Sequence, residues 1–275
     1  MAVVFCNKNI IDAKYSGFTI TKIYACGGEL VYEYQRPTPT NPIARVYVDD
    51  KWVEINDDDS NSAVTSGEVN TWLTASEKSS FTILGLYDNC KEVGDYAFSG
   101  TNMTSINSWG LVERIGRRSF YSCTKLTSLY VPCHIRLIDD YAFFSCTALT
   151  SVTICNSAND VTIGTGAFLS CYNLSELNLG QKVKTIKISA FQGCSGLTSV
   201  TIPTSVTSIG GAAFKNNTSM TKIVMQSTTP PTIGSGTFDN TNNCPIVVPN
   251  GYKNTYQTAS GWSVYAARIK YDYEI

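Results

Sequence analysis

The sequence predicts a solenoid of about seven coils, each 22–25 residues long and each giving a short strand to a parallel sheet. Small all-β elements and a short capping helix precede it. Three observations carry this prediction. Phe98, Phe120, Phe143, Phe168, Phe191, Phe214 and Phe238 recur at spacings of 22, 23, 25, 23, 23 and 24. Five residues before each stands a β-branched aliphatic: Val93, Ile115, Ile138, Ile163, Ile186, Ile209 and Ile233. Six residues after come Leu126, Leu149, Leu174, Leu197 and Met220, while Met103 sits one place early and Cys244 holds the slot in the last copy. A unit of this size cannot bury its own apolar side, so the copies must stack.

Within a coil, "LTSLYV" at 126–131 is apolar at its first, fourth and sixth positions. That is the pattern of a short strand with its third and fifth residues facing outward. Strands stacked at about 4.8 Å make seven coils roughly 30 Å long. The "IGxxAF" phrase flanks a large aromatic with small residues, which suits a tight turn with Phe as core filler. Each fully buried Phe or Leu contributes about 1.5–3 kcal/mol.

Cys123, Cys146, Cys171 and Cys194 share one slot, three residues after Phe, which Thr101, Asn217 and Thr241 fill in other copies. Thr and Asn replace Cys in neither redox nor metal chemistry; all three are compact and form hydrogen bonds. The slot therefore predicts an inward ladder of free thiols beside the phenylalanines. Occasional disulfides are the alternative. A metal is disfavoured because four coils each give one thiol, with no CxxC pair or nearby histidine.

Ahead of the coils the chain divides by composition. Residues 1–36 form a small β anchoring module, in which "FTITKIYACGGELVYEY" at 18–34 reads as a hairpin. Residues 37–42, within "RPTPTNP", are a stiff Pro-rich linker. Residues 43–79 hold a second hairpin, "IARVYVDDKWVEI", then a solvated acidic run at Asp57, Asp58 and Asp59, then a helical cap. Thr65 with Glu68 three residues on has the form of a capping box, and Val69, Trp72 and Leu73 share a face that covers the first coil. "FTILGLYDNC" reads as a degenerate coil opening the solenoid at 80–250, and 251–275 close it.

Several activities are disfavoured. A net charge of −1, no Lys/Arg run and a single Arg pair, Arg117-Arg118, argue against nucleic-acid binding. No stretch approaches eighteen apolar residues, so no membrane span is expected. The start, "MAVVFCNKNIIDAKYSGF", lacks a signal peptide's basic and apolar segments. The expected location is cytoplasmic while unassembled, then exterior by another route, or by a leader already removed. His134, the only histidine, reads as a surface-loop residue, and Cys133 beside it points away. No nucleophile elbow accompanies them. Asp95, Asp139, Asp140 and Asp160 are scattered over a turn slot that also accepts Gly, Arg and Lys, unlike a hydrolase's paired acids. Gly164-Thr165-Gly166 reads as a turn, and the acidic run lacks calcium-loop spacing. The expectation is a non-enzyme without cofactor or metal.

"IGRRSFYSCTKLTSLYVP" at 115–132 and "SVTSIGGAAF" at 205–214 resemble the BspA-like leucine-rich repeat proteins found among surface antigens of Treponema and Bacteroides. The resemblance covers about 80–250 and implies a leucine-rich repeat solenoid that binds host matrix proteins or other cell-surface ligands. "VPNGYKNTYQTASGWSVYAARI" resembles the family's usual end, where an irregular strand leads into a capping helix with a tryptophan. The front departs from those antigens. "ITKIY…GGELVY" is similar to small modules at the front of tail and fibre proteins of phages of gut bacteria. That likeness implies display on a virion, anchored to other assembly proteins through residues 1–60.

What remains for function is the outward strand face. Its third positions are Ser105, Ser128, Ser151, Glu176, Ser199 and Lys222; its fifth are Asn107, Tyr130, Thr153, Asn178, Thr201, Val224 and Val247. The expected ligand-binding residues are Asn107, Trp109, Ser128, Tyr130, Ser151, Thr153, Glu176, Asn178, Ser199 and Thr201, with Tyr130, Trp109 and Asn107 leading because aromatics dominate recognition. The function expected is adhesion to a protein or glycan on a host surface. A purely structural virion or oligomer part, with the solenoid as spacer or decoration, is the alternative, and an exposed sheet also tolerates Ser and Thr with nothing bound.

Overall fold

The computed structural model describes residues 3–5, 19–26, 29–35, 41–48, 50–56, 61–156 and 158–275. Each coil runs from a front strand, such as Ser128–Val131, round a corner to a back strand, such as Leu137–Ile138, and returns through the Phe turn. The back strands form one parallel eight-stranded sheet from Ala63–Val64 to Thr232–Ile233. It was not expected beside the front sheet. Its register pairs Ile115 with Ile138, Ile138 with Ile163 and Ile186 with Ile209, so the β-branched slot stacks on itself. The front strands fall into three shorter sheets, and the solenoid has about eight turns rather than seven because "FTILGLYDNC" supplies the strand Ile83–Leu86.

The turn between back and front strands is short because two of its residues are left-handed. The residue two before each repeat Phe, from Tyr96 to Gly236, and the residue two after, from Gly100 to Asn240, have φ between +53° and +72°. Those bends aim alternate amides at the next coil. Phe98 N–H donates to Ser119 O at 2.8 Å and Phe143 N–H to Ala167 O at 2.8 Å, and the pattern repeats through Phe214.

All seven repeat phenylalanines are fully buried. From Phe98 to Phe238 successive rings stack with centroids 5.0–5.8 Å apart and planes within 16°. The thiols lie beside this column as expected. Cys123, Cys146, Cys171 and Cys194 donate to the carbonyls of Phe98, Phe120, Phe143 and Phe168 at 3.2–3.3 Å, always one coil back. Thr101 and Thr241 instead donate to the Phe carbonyl of their own coil, at 2.9 and 2.8 Å. Asn217, in the same slot, is fully buried with neither amide atom hydrogen-bonded. A hydroxyl ladder runs parallel: Thr104, Thr150 and Thr221 donate to the carbonyls of Thr82, Thr127 and Thr198 at 3.0 Å. The Thr of "LTS" thus serves the stack.

At the front, β1 (Val3–Phe5) and β2 (Thr19–Cys26) flank β3 (Glu29–Gln35), both antiparallel to it, so the expected hairpin is present with an extra strand. Its Gly27-Gly28 turn, residues 37–40 of the expected linker, Asp49 and the acidic run 57–59 lie outside the described residues. The second hairpin, β4 (Pro42–Val48) and β5 (Lys51–Asn56), is hydrogen-bonded into the solenoid, for β4 also pairs antiparallel with Ile83–Leu86. That pairing closes a sheet edge otherwise left open. The Thr65–Glu68 capping box opens α1 (Ser66–Trp72), which buries Val69 and Trp72, with Leu73 buried at its C-cap. A second box, Thr74 with Glu77, opens α2 (Ala75–Ser80). Phe81 then meets Phe98 edge-on at 6.2 Å and heads the aromatic column.

The far end closes with polar precision. Beyond α3 (Lys253–Thr258), buried Trp262 abuts Phe238 at 5.8 Å and donates to Pro231 O at 2.8 Å. Arg268 donates to the carbonyls of Phe238 and Cys244 and to the Thr241 hydroxyl at 2.7–3.0 Å, satisfying acceptors that a further coil would have met.

Candidate functional site

The front strands set the outward residues in rows. Ser128 pairs with Ser151 and Ser151 with Glu176, while Tyr130 pairs with Thr153 and Thr153 with Asn178. Further on, Ser199 pairs with Lys222 and Thr201 with Val224. Ser128, Glu176, Asn178, Ser199 and Thr201 are exposed, Ser151 and Thr153 half-buried, and Tyr130 is 57% exposed. The rows carry hydroxyls and amides with one acid and one lysine, and Lys222 is held by Asp272 at 2.6 Å. Such a face offers neutral hydrogen bonds and one aromatic anchor.

Two expected positions depart from this surface. Trp109 is buried and packs edge-on against Phe120 at 5.9 Å. The cause is a register shift: Leu84 pairs with Ile106 but Gly85 with Ser108, so Asn107 is an extra residue. One inserted residue exchanges the faces of all that follow, leaving Asn107 and Ser108 both exposed and turning Trp109 inward. Gly110 follows with φ +51°, where a Cβ would sit on the Tyr87 carbonyl. Val247 is likewise buried, because Ile246–Val247 pairs with the closing strand Ile269–Lys270.

The remaining sequence candidates resolve into structure. His134 is exposed in its loop, and Cys133 forms a disulfide with Cys155, Cα atoms 5.0 Å apart, at the same corner of the next coil. The acids of the turn are bound to bases: Arg114 meets Glu92, Asp95 and Asp139, and Lys184 meets Asp160 at 2.8 Å. Burial alone would lower the Arg114 pKa, but the hydrogen bonds it donates to Asp139 and Asp95 outweigh it and raise it. Burial pushes the Cys123 thiol up to about 11 and Cys171 up to about 12, so these thiols stay protonated donors. Among the described residues no group of three or more His, Cys, Asp or Glu is placed to hold a metal, and no helix is long and apolar enough to cross a membrane.

One constellation lies off the front face. Arg118 has its guanidinium over the rings of Tyr96, Tyr121 and Tyr141, at 5.6, 5.7 and 5.5 Å, and donates to the Tyr96 hydroxyl at 2.8 Å. Tyr121 stacks on Phe144 at 4.9 Å. Tyr96, which is 43% exposed, also walls a cavity of about 320 Å³ between the two short helices and the first Phe turn. The signal was in the repeat, since Tyr96, Arg118 and Tyr141 share one slot and Tyr121 and Phe144 another.

The description "BspA type leucine rich repeat region" matches the chain in six copies, over residues 75–162 and 161–260. The chain belongs to the BspA-type leucine-rich repeat family. A leucine-rich cell surface protein of Faecalibacterium prausnitzii is 24% identical, with a TM-score of 0.45, over 63% of this chain and 56% of that one. This chain therefore spans little more than half that protein's length. A leucine-rich repeat protein of Treponema pallidum is 22% identical, TM-score 0.42, over 65% of this chain and 77% of that one. One from Bacteroides ovatus is 18% identical, TM-score 0.29, over 69% and 66%. No curated protein sequence matches. In this chain the repeat phrase is consumed by packing, which leaves the outward rows and the capping elements as the surfaces that meet solvent.

Proposed function

We propose that the chain is a non-enzymatic binding module that presents the outward rows of its front strands to a protein or glycan on a host-cell surface. The observation that carries this reading is Tyr130, 57% exposed amid hydroxyls and amides. An aromatic standing free on a polar, weakly charged sheet is the kind of side chain that anchors interfaces. Membership of the BspA-type family supports an interaction role over a catalytic one. Recognition here has little electrostatic steering, so binding should vary weakly with salt.

The test is binding of labelled full-length chain to host epithelial cells, matrix proteins and a glycan array. Tyr130→Ala should lower the affinity for the captured partner at least tenfold with an unchanged melting temperature. Failure of every surface to bind at about 10 μM would defeat the proposal. So would front rows found buried against a second copy, which would favour a spacer. Display on a virion through residues 1–60 rests on the hairpin's pattern alone; co-purification of the chain with phage particles tests it.

A further inference from the structure

We propose that the cavity between the two short helices and the first Phe turn is a second binding site, for a carboxylate-bearing sugar ring such as a sialic or uronic acid at a glycan's end. It is lined by Ser66, Asn70, Lys78, Ser79, Tyr96 and Ser99, among others, and among the described residues no carboxylate lines it. Its volume, about 320 Å³, is at the lower end of small-ligand pockets.

Among the described residues the charge inside is positive and uncompensated. Lys78 Nζ donates to Asn70 Oδ1 at 2.6 Å, a neutral partner, which leaves the ammonium charge and two of its protons for a ligand. The same bond orients the Asn70 amide with its NH2 free to donate. The acids on these helices are committed elsewhere. Glu68 accepts from Thr65 N at 2.7 Å and Glu77 from Thr74 N at 2.9 Å, each closing its own helix cap. A ligand carboxylate would meet charge-assisted donors and no fixed anion.

Tyr96 distinguishes a sugar from a bare anion. Its exposed ring forms one wall and is fixed by Arg118, which lies over it and binds its hydroxyl. A rigid aromatic wall beside a cation and several hydroxyls matches the two sides of an acidic pyranose: an apolar C–H face, and an edge of hydroxyls and carboxylate.

Calorimetric titration of the full chain with 3′-sialyllactose, glucuronic acid, lactose, acetate and a tetrapeptide with a free C-terminus tests the site. One or both carboxylated sugars should bind with millimolar or tighter affinity, and lactose, acetate and peptide at least tenfold more weakly. Binding by only one of the two names the source. Lys78→Gln and Tyr96→Asn should each weaken binding at least tenfold without changing the melting temperature. Tyr130→Ala should leave it unchanged, which separates this site from the front rows. Lactose, acetate or peptide binding as well as the acidic sugars would overturn the proposal, as would full affinity in Lys78→Gln or no acidic-sugar binding at about 10 mM.

Discussion

The Tyr265 hydroxyl accepts a hydrogen bond from the amide of Phe238 at 3.1 Å and donates its own to Asp239 Oδ1 at 3.1 Å. Every earlier repeat Phe gives its amide to the next coil, but Phe238 has no next coil. A side chain from the cap stands in for the missing carbonyl. Tyr265→Phe keeps the ring packing against Phe238 and leaves a buried N–H unpaired, at a cost of about 1–3 kcal/mol. Urea unfolding measures the loss, and amide exchange at Phe238 should quicken.

The thiol ladder makes the fold sensitive to alkali. Cys123 and Cys171 are raised to about 11 and about 12, above the ordinary thiol value, so the native state holds protons that the unfolded chain releases. Stability is therefore complete below about pH 8.5 and falls by about 1.4 kcal/mol per pH unit per thiol until the folded pKa is passed. Unfolding free energies from pH 7 to 10.5 should show this slope, and Cys171→Thr should make it shallower by one thiol's share. The native ladder thiols should also resist Ellman's reagent until the chain unfolds.

Asn217 is the weak rung. Its fully buried amide has no hydrogen-bond partner, in a slot where four other coils place a thiol. Asn217→Cys removes an unsatisfied polar group and supplies a donor toward the Phe191 carbonyl. The expected gain is about 1–3 kcal/mol, read as a higher urea midpoint. A stability equal to or below that of the parent would contradict the ladder's logic.

The repeat was legible because its chemistry is periodic: Phe at every 22 to 25 residues, with Ile five before and Cys three after, dictates the stack directly. The Thr65 capping box was readable for the same local reason, and Thr74 with Glu77 carried an identical signal nine residues later. Trp109 was not readable, because a single inserted residue at Asn107 depends on pairing with a neighbouring coil. The Cys133–Cys155 bond and the contacts of Arg118 with Tyr96 and Tyr141 arise only when coils are superposed, since each joins residues 22 or more apart in sequence. The alternation of outward and inward residues holds in the regular coils and fails where a bulge or cap breaks it, at Trp109 and Val247.

The central claim is that inward repeat residues hold the coils together while outward rows are free to bind. Denaturant unfolding of Phe168→Ala beside Tyr130→Ala tests it most directly. Phe168→Ala should lose about 3–5 kcal/mol, and Tyr130→Ala should stay within about 0.5 kcal/mol of the parent. Equal losses, or a Phe168→Ala cost below about 1 kcal/mol, would contradict the account.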